Sequence, residues 1–240
     1  MPGAASPTPH ADVLGFVRDN LAEKAGLKLE IREFTDYVLP STATGNGEAD
    51  ANHFRHKPHL DDVDAEQGTR LVPVTGVHLE PLDLYSSTPE KASELGTGDT
   101  VAVPNDTTGE GRALKLLDDH GLIEPKEGAG QDATLADITD DRGLEFKELE
   151  AAALPRSLDD VDAAVIDGNY AIEAGPEPAG DALALEEAEG NPYVNLRVVK
   201  EGAEDDPRVG KPADLPASEE VADFIGEEYR GSVVAASGAS

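Results

Sequence analysis

Thr100-Val101-Ala102-Val103-Pro104-Asn105-Asp106-Thr107-Thr108-Gly109-Glu110-Gly111-Arg112 opens the reading of this chain, because a strand, a polar turn and a helix follow one another within it. Thr100–Val103 is a short strand candidate. From Arg112 to His120 the apolar residues Ala113, Leu114, Leu116 and Leu117 fall at helical spacing, and Gly121 supplies a stop. Free backbone N–H groups at a helix start attract carboxylate or phosphate. Arg112 in the opening turn could add a bidentate contact to a carboxylate. The run is no P-loop, because the G-x-x-x-x-G-K pattern is absent. The plainer reading is an ordinary turn with Arg112 in a surface ion pair.

The same alternation extends in both directions. Val13, Leu14, Val17, Leu21 and Ala25 predict a helix over Ala11–Ala25, and Leu27, Leu29 and Ile31 a strand after it. Leu71–Val74, Leu144–Leu149, Ala163–Ile166 and Tyr193–Val199 read as further strands. Ser157-Leu158-Asp159-Asp160 resembles a capping box that starts a helix, and Ser218-Glu219-Glu220 caps a last one. Strands separated by helices predict α/β architecture with mainly parallel sheets. Loops rich in Gly, Pro and acid lie near 40–50, 86–99, 125–132, 173–181 and 200–217. Two candidate boundaries fall near Tyr85-Ser86-Ser87 and Gly190-Asn191-Pro192.

Composition narrows the function. The 240 residues suit one large domain or two small ones at roughly 150 residues each. Fifty acidic residues against nineteen basic ones give a formal charge of −31, which argues against nucleic acid and against docking on anionic lipid. No run approaches the roughly 20 apolar residues of a membrane span. Cysteine is absent, so the chain has no disulfide, thiolate nucleophile or lipid-modifiable thiol. Apolar residues make up 38% and recur in periodic blocks, which favours a folded protein with an acidic surface over disorder. Such a surface suits high salt, where a Debye length of about 3 Å mutes repulsion.

Two segments carry candidate chemistry besides Arg112. His53, His56 and His59 are spaced by three. On a helix they would share part of one face, as metal ligands can. Pro58 disfavours a helix through them, and no H-E-x-x-H pattern is present. Leu154–Ala171 ends a buried strand in polar groups, where open α/β sheets place ligands. It holds no G-x-S-x-G elbow, and capping explains Ser157 more cheaply than catalysis does.

Taken together, these segments resemble the NlpA/MetQ family, the methionine-binding proteins of ABC importers. The resemblance runs from about Pro9 to Val234. Its blocks are Phe34-Thr35-Asp36-Tyr37-Val38-Leu39-Pro40, Asp50-Ala51-Asn52-His53-Phe54-Arg55-His56-Lys57-Pro58-His59-Leu60, Val103-Pro104-Asn105-Asp106, Gly111-Arg112-Ala113-Leu114, Leu154-Pro155-Arg156-Ser157-Leu158-Asp159-Asp160 and Pro192-Tyr193-Val194-Asn195. It implies a type II periplasmic-binding-protein fold: two α/β lobes joined by two crossovers, with a ligand cleft between them. Lobe 1 would be 1–84 plus 194–240 and lobe 2 would be 85–193. The implied function is non-enzymatic: a monomeric receptor that binds L- or D-methionine, or a methionine-containing dipeptide. It needs no cofactor and delivers its ligand to an ABC permease with its ATPase.

By the same resemblance Tyr37, Phe54 and His56 wall the thioether, with His59 where the family usually has Tyr. Arg112 holds the α-carboxylate. Asn195 addresses the head group, and Asp167 stands where the family has a second asparagine. Family members sit lipid-anchored on the outer face of the cell membrane, whereas this chain shows neither a signal peptide nor a lipidation cysteine. The family's opening strand also looks missing before Gly3–His10, which predicts a misplaced start codon or an incomplete record or, if 1–240 is the real product, a weakened lobe 1. The rival readings are a metal or metal-chelate binder using His53, His56 and His59, an α/β enzyme acting on an amino acid, and an unexported degenerate paralogue without ligand.

Overall fold

A computed structural model describes residues 1–175, 178–188, 190–206, 209 and 214–236. The chain divides into two compact units, Met1–Glu80 with Ala188–Ser240, and Pro81–Glu187. In chain order the first unit holds β1 (Pro2–Ala5), α1 (Asp12–Asn20), β2 (Glu30–Glu33), α2 (Leu39–Gly45), β3 (Ala51–His56), α3 (Lys57–Gln67) and β4 (Leu71–Leu79). The second holds β5 (Leu82–Tyr85), β6 (Thr100–Pro104), α4 (Thr107–Asp119), β7 (Glu124–Pro125), β8 (Ile138–Asp140), β9 (Glu145–Leu149), α5 (Leu154–Ser157), β10 (Ala163–Asp167), α6 (Gly168–Ala174) and α7 (Pro178–Asp181). The chain then returns to the first unit for β11 (Asn195–Lys200), α8 (Glu219–Tyr229) and β12 (Val234–Ala235).

The first unit is built on a six-stranded sheet in the order β12-β4-β11-β3-β1-β2. Its inner strand β1 runs parallel to both neighbours, with Gly3 opposite Ile31 and Ala51. This corrects the expectation of a missing opening strand. Pro2-Gly3-Ala4-Ala5 fills that place, and Ala4 and Ala5 are wholly buried. Proline is tolerated because it takes the strand's first position.

The second unit has a four-stranded sheet, β5-β10-β6-β9. Each residue of β10 is buried, as expected of a continuous apolar run in an inner strand. Leu114 and Leu117 of α4 pack with Val101, Val103, Leu84 and Val165 in its core. Each such buried leucine contributes roughly 2 kcal/mol.

Both sheets are mixed: the second keeps the expected mainly parallel pairing, whereas the first is mainly antiparallel, which corrects that expectation there. Parallel pairs join strands linked through helices, as β1 with β2 and β6 with β9. Antiparallel pairs involve β4, β5, β11 and β12, which lie where the chain enters or leaves a unit or closes a sheet. Such strands are not held to the crossover rule.

Several expected boundaries move. Helix α1 stops at Asn20, and β2 begins at Glu30 rather than Leu27, because pairing with β1 sets its register. The 40–50 loop contains α2. No helix starts at Ser157. Its hydroxyl donates back to the Leu154 carbonyl at 2.7 Å, closing α5 instead of capping a new helix. Ser218 does cap α8, accepting the Val221 N–H at 3.4 Å. Among the described residues no helix is long and apolar enough to cross a membrane.

Candidate functional site

In the first unit the expected aromatic wall assembles where β3 meets α3. Phe54 and His56 end the strand, and Pro58 sits in the first turn of α3, where its missing N–H costs nothing. The His59 N–H donates to His56 Nδ1 at 3.3 Å, so His56 acts as the helix cap. The Tyr37 ring lies 5.5 Å from Phe54 and 6.2 Å from His59, and Phe54 lies 5.8 Å from His59. His56 packs edge-on to Tyr193 at 4.9 Å. The Arg55 guanidinium stands 4.1 Å over the Tyr37 ring, a cation–π contact. Asn195, at the start of β11, pairs in register with His56, which sets its amide beside this wall.

The three histidines expected as a metal cluster do not converge. Among the described residues His53, His56 and His59 do not bring ligand atoms within reach of one ion, and the β3 ladder shifts register between His53 and His56, where Arg55 takes a left-handed backbone. His53 instead lies 5.1 Å from His10 and 5.0 Å from His78, ring centre to ring centre. His10 and His78 both meet the Glu80 carboxylate through Nε2, at 3.1 and 2.7 Å. His10 Nε2 also lies 3.1 Å from Asn195 Oδ1. All of these groups are buried. Sequence reasoning passed over His10, His78 and Glu80. The available signal was the close spacing of His78 and Glu80, which fall where β4 ends.

Burial dominates the titration of this cluster. It pushes His10 down to about 4 despite the attraction of Glu80. It holds His53 well below the ordinary histidine range, with His78 and His10 adding to the effect. Burial works the other way on Glu80, yet His10 and His78 outweigh it and keep the carboxylate ionised. The folded state therefore resists protonating His10 and His53, and the unfolded chain takes those protons first. Stability should fall as pH drops from about 6.5 toward 4, by on the order of 3 kcal/mol for His10 alone. Chemical denaturation in molar KCl checks this: His53→Leu should lose less stability than the parent between pH 7.5 and 4.5. Parallel pH curves would contradict the assignment.

In the second unit Arg112 lies in α4, which begins at Thr107. Arg112 is thus past the opening turn, contrary to expectation. The helix start is already occupied, since Asp106 accepts the Gly109 N–H at 2.9 Å. Arg112 is buried and not at the surface. Its Nε donates to Glu186 Oε1 at 2.7 Å, and Nη2 donates to Oε2 of the same carboxylate. Glu186 also accepts the Leu82 N–H at 3.1 Å. This pair uses the side-on edge of the guanidinium. Asp167 ends β10 opposite Leu82, at the same edge of the sheet.

Asp83 accepts the Glu186 N–H at 3.1 Å, and burial pushes its carboxyl up to about 7. Because the folded state favours its neutral form, stability should decline as pH rises from about 4 to 7. Asp83→Asn keeps the acceptor without the charge. At pH 8 it should unfold at higher denaturant, by roughly 2 kcal/mol, with the gain lost below pH 4. Equal gains at both pH values would contradict the raised carboxyl.

Of the seven residues read as ligand-binding, the first unit holds Tyr37, Phe54, His56, His59 and Asn195, and the second holds Arg112 and Asp167. The sequence profile of the NlpA lipoprotein family matches residues 3–237. The chain belongs to the NlpA lipoprotein family. Another sequence matching it is the D-methionine-binding lipoprotein MetQ of Escherichia coli (strain K12), 41% identical over 215 residues, or 88% of this chain and 79% of the relative. A nutrient-binding protein from Burkholderia cenocepacia, solved bound to methionine, matches with a TM-score of 0.94 at 40% identity over 98% of this chain and 99% of that one. An ABC transporter periplasmic substrate-binding protein from Coxiella burnetii matches with a TM-score of 0.93 at 33% identity, covering 98% and 100%. The NlpA chain thus has the type II periplasmic-binding-protein fold. Its relatives are named for binding and transport, not for catalysis.

Proposed function

We propose that this NlpA chain is the solute receptor of an ABC importer, taking methionine or a methionine-containing dipeptide and passing it to the permease. The observation that carries this reading is the wall of Tyr37, Phe54, His56 and His59 with the Asn195 amide in register beside it. A thioether packs well against ring faces and edges. An apolar pocket with a few placed polar groups is the usual form of a small-molecule site. The rest of the head group falls to the second unit. Arg112, oriented by Glu186, would hold the α-carboxylate, and Asp167 would face the ammonium. In this reading the two units are the lobes that close on the ligand. The protein works as a monomer at the outer face of the cell membrane, where the lipoproteins it resembles are found.

Thermal unfolding in molar KCl tests the proposal with L-methionine, D-methionine, glycyl-methionine, other amino acids and divalent metals. At about 100 times its dissociation constant a ligand adds roughly 2.7 kcal/mol. The expected result is a shift with methionine compounds alone. A shift with metal alone, or with none of the panel in a folded sample, would overturn the reading.

A further inference from the structure

His10, His78, Glu80 and Asn195 form one buried hydrogen-bonded group whose geometry fixes where its protons lie. The His10 Nε2 atom lies 3.1 Å from a carboxylate oxygen of Glu80 and 3.1 Å from Asn195 Oδ1. His78 Nε2 lies 2.7 Å from the same Glu80 oxygen. The Nδ1 atoms of both rings are buried without a hydrogen-bond partner. Placing the His10 proton on Nδ1 would incur two penalties. It would bury an N–H with no acceptor, and it would set the Nε2 lone pair against a carboxylate. The proton therefore sits on Nε2, shared between Glu80 and Asn195.

That placement decides the orientation of Asn195. An Nε2–H donor requires the amide oxygen to face His10. The Asn195 NH2 group is thereby turned away, and among the described residues it makes no hydrogen bond. We infer that His10, itself held by Glu80, is a positioning residue that locks Asn195 as a hydrogen-bond donor, so that this amide recognises an acceptor on the ligand: its carboxylate or, in a dipeptide, its peptide carbonyl. The inference rests on the receptor reading only for its last step. The ammonium then cannot be read by Asn195 and must find its acceptor elsewhere.

The His10, His78 and Glu80 ligand atoms also lie close enough to one another to suit a divalent metal. The 2.7 Å separation of His78 Nε2 and Glu80 Oε1 fits a proton between them better than two ligands of one tetrahedral ion. With bonds near 2.05 Å those ligands would stand about 3.3 Å apart.

Two measurements test the inference. The first is long-range 1H–15N correlation on the 15N-labelled, ligand-free protein at pH 7. It should show His10 as the neutral Nε2–H tautomer, with the Asn195 carbonyl as its acceptor. An Nδ1–H tautomer would overturn the inference. So would displacement of the Nε2 protons of His10 and His78 by added Zn2+, which would make the group a metal site.

The second compares binding by His10→Gln, which keeps an N–H donor near the Nε2 position, with His10→Phe, which removes it. Gln should bind L-methionine within about threefold of the parent, and Phe should weaken it at least tenfold. For 3-(methylthio)propylamine, which lacks the carboxylate, the two variants should differ by less than threefold. Equal losses for both compounds would reduce His10 to a merely structural role and overturn the proposal. If the parent bound neither compound, the methionine reading would fail, while the tautomer measurement would still decide the amide orientation. Should His10→Phe not fold, His10→Gln and the tautomer remain decisive.

Discussion

Arg112→Met is expected to abolish methionine binding and to destabilise the Pro81–Glu187 unit at the same time. The substitution leaves the Glu186 carboxylate with the Leu82 N–H but without its cation. Breaking a buried ion pair by removing one partner costs about 3–5 kcal/mol, because the remaining charge stays out of water. Adding Glu186→Leu should recover much of that stability. It should not recover binding, since no cation would remain for the ligand carboxylate. Denaturant unfolding and calorimetric titration of the single and double variants separate the two effects. Methionine binding by the double variant at parental affinity would remove Arg112 from the site. Glu186→Gln offers a milder control. It keeps an acceptor for Arg112 and should weaken binding less than Arg112→Met does.

Gly111→Ala carries the second large effect, and it acts through packing. A Cβ added at Gly111 would lie 2.1 Å from the backbone oxygen of Gln131 and 2.7 Å from its carbonyl carbon. Backbone cannot swing aside as a side chain can, so α4 or the 129–133 segment must shift. Overpacking of this kind costs about 3 kcal/mol. The shift would also move Arg112, the next residue. The variant should therefore lose several degrees of melting temperature and lose ligand affinity with it. Gly15→Ala in α1 is the matched control, since nothing lies within 4 Å of its added Cβ. It should melt at or slightly above the parent temperature, because alanine favours a helix. A Gly111→Ala protein as stable as the parent would mean that α4 does not pack as closely on residues 129–133 as described.

The residues that could be read from the sequence are those whose own pattern decides their structure. The apolar run Ala163–Ile166 and the α4 stripe of Ala113, Leu114, Leu116 and Leu117 fall where periodicity placed them. Ser218 caps its helix as its spacing predicts. The misreadings come from tertiary context. Pro2-Gly3-Ala4-Ala5 has the composition of a loop and is a strand only because β2 and β3 supply partners on both sides. Ser157 has a capping pattern, but its hydroxyl bonds within the preceding turn.

The site follows the same division. The family blocks bring Tyr37, Phe54, His56 and His59 into one wall. His10 is some seventy positions from His78 and Glu80, and only the tertiary fold brings the turn after β1 to the end of β4 and the start of β11. Glu186, one acid among fifty, shows its importance only through its bidentate contact with Arg112. Arg55 holds a left-handed backbone, φ 58°, that no residue pattern would predict for arginine. Such strain is characteristic of functional sites, and here it lies between Phe54 and His56 of the wall.

Isothermal titration of L-methionine into the full chain in molar KCl, at two temperatures, tests the central claim most directly. A single site is expected, with a binding enthalpy that becomes more negative on warming, because the thioether leaves water for the Tyr37–Phe54–His56–His59 wall. The same titration into Arg112→Met should give no binding. Heat of dilution alone from a folded parent protein, or undiminished binding by Arg112→Met, would contradict it.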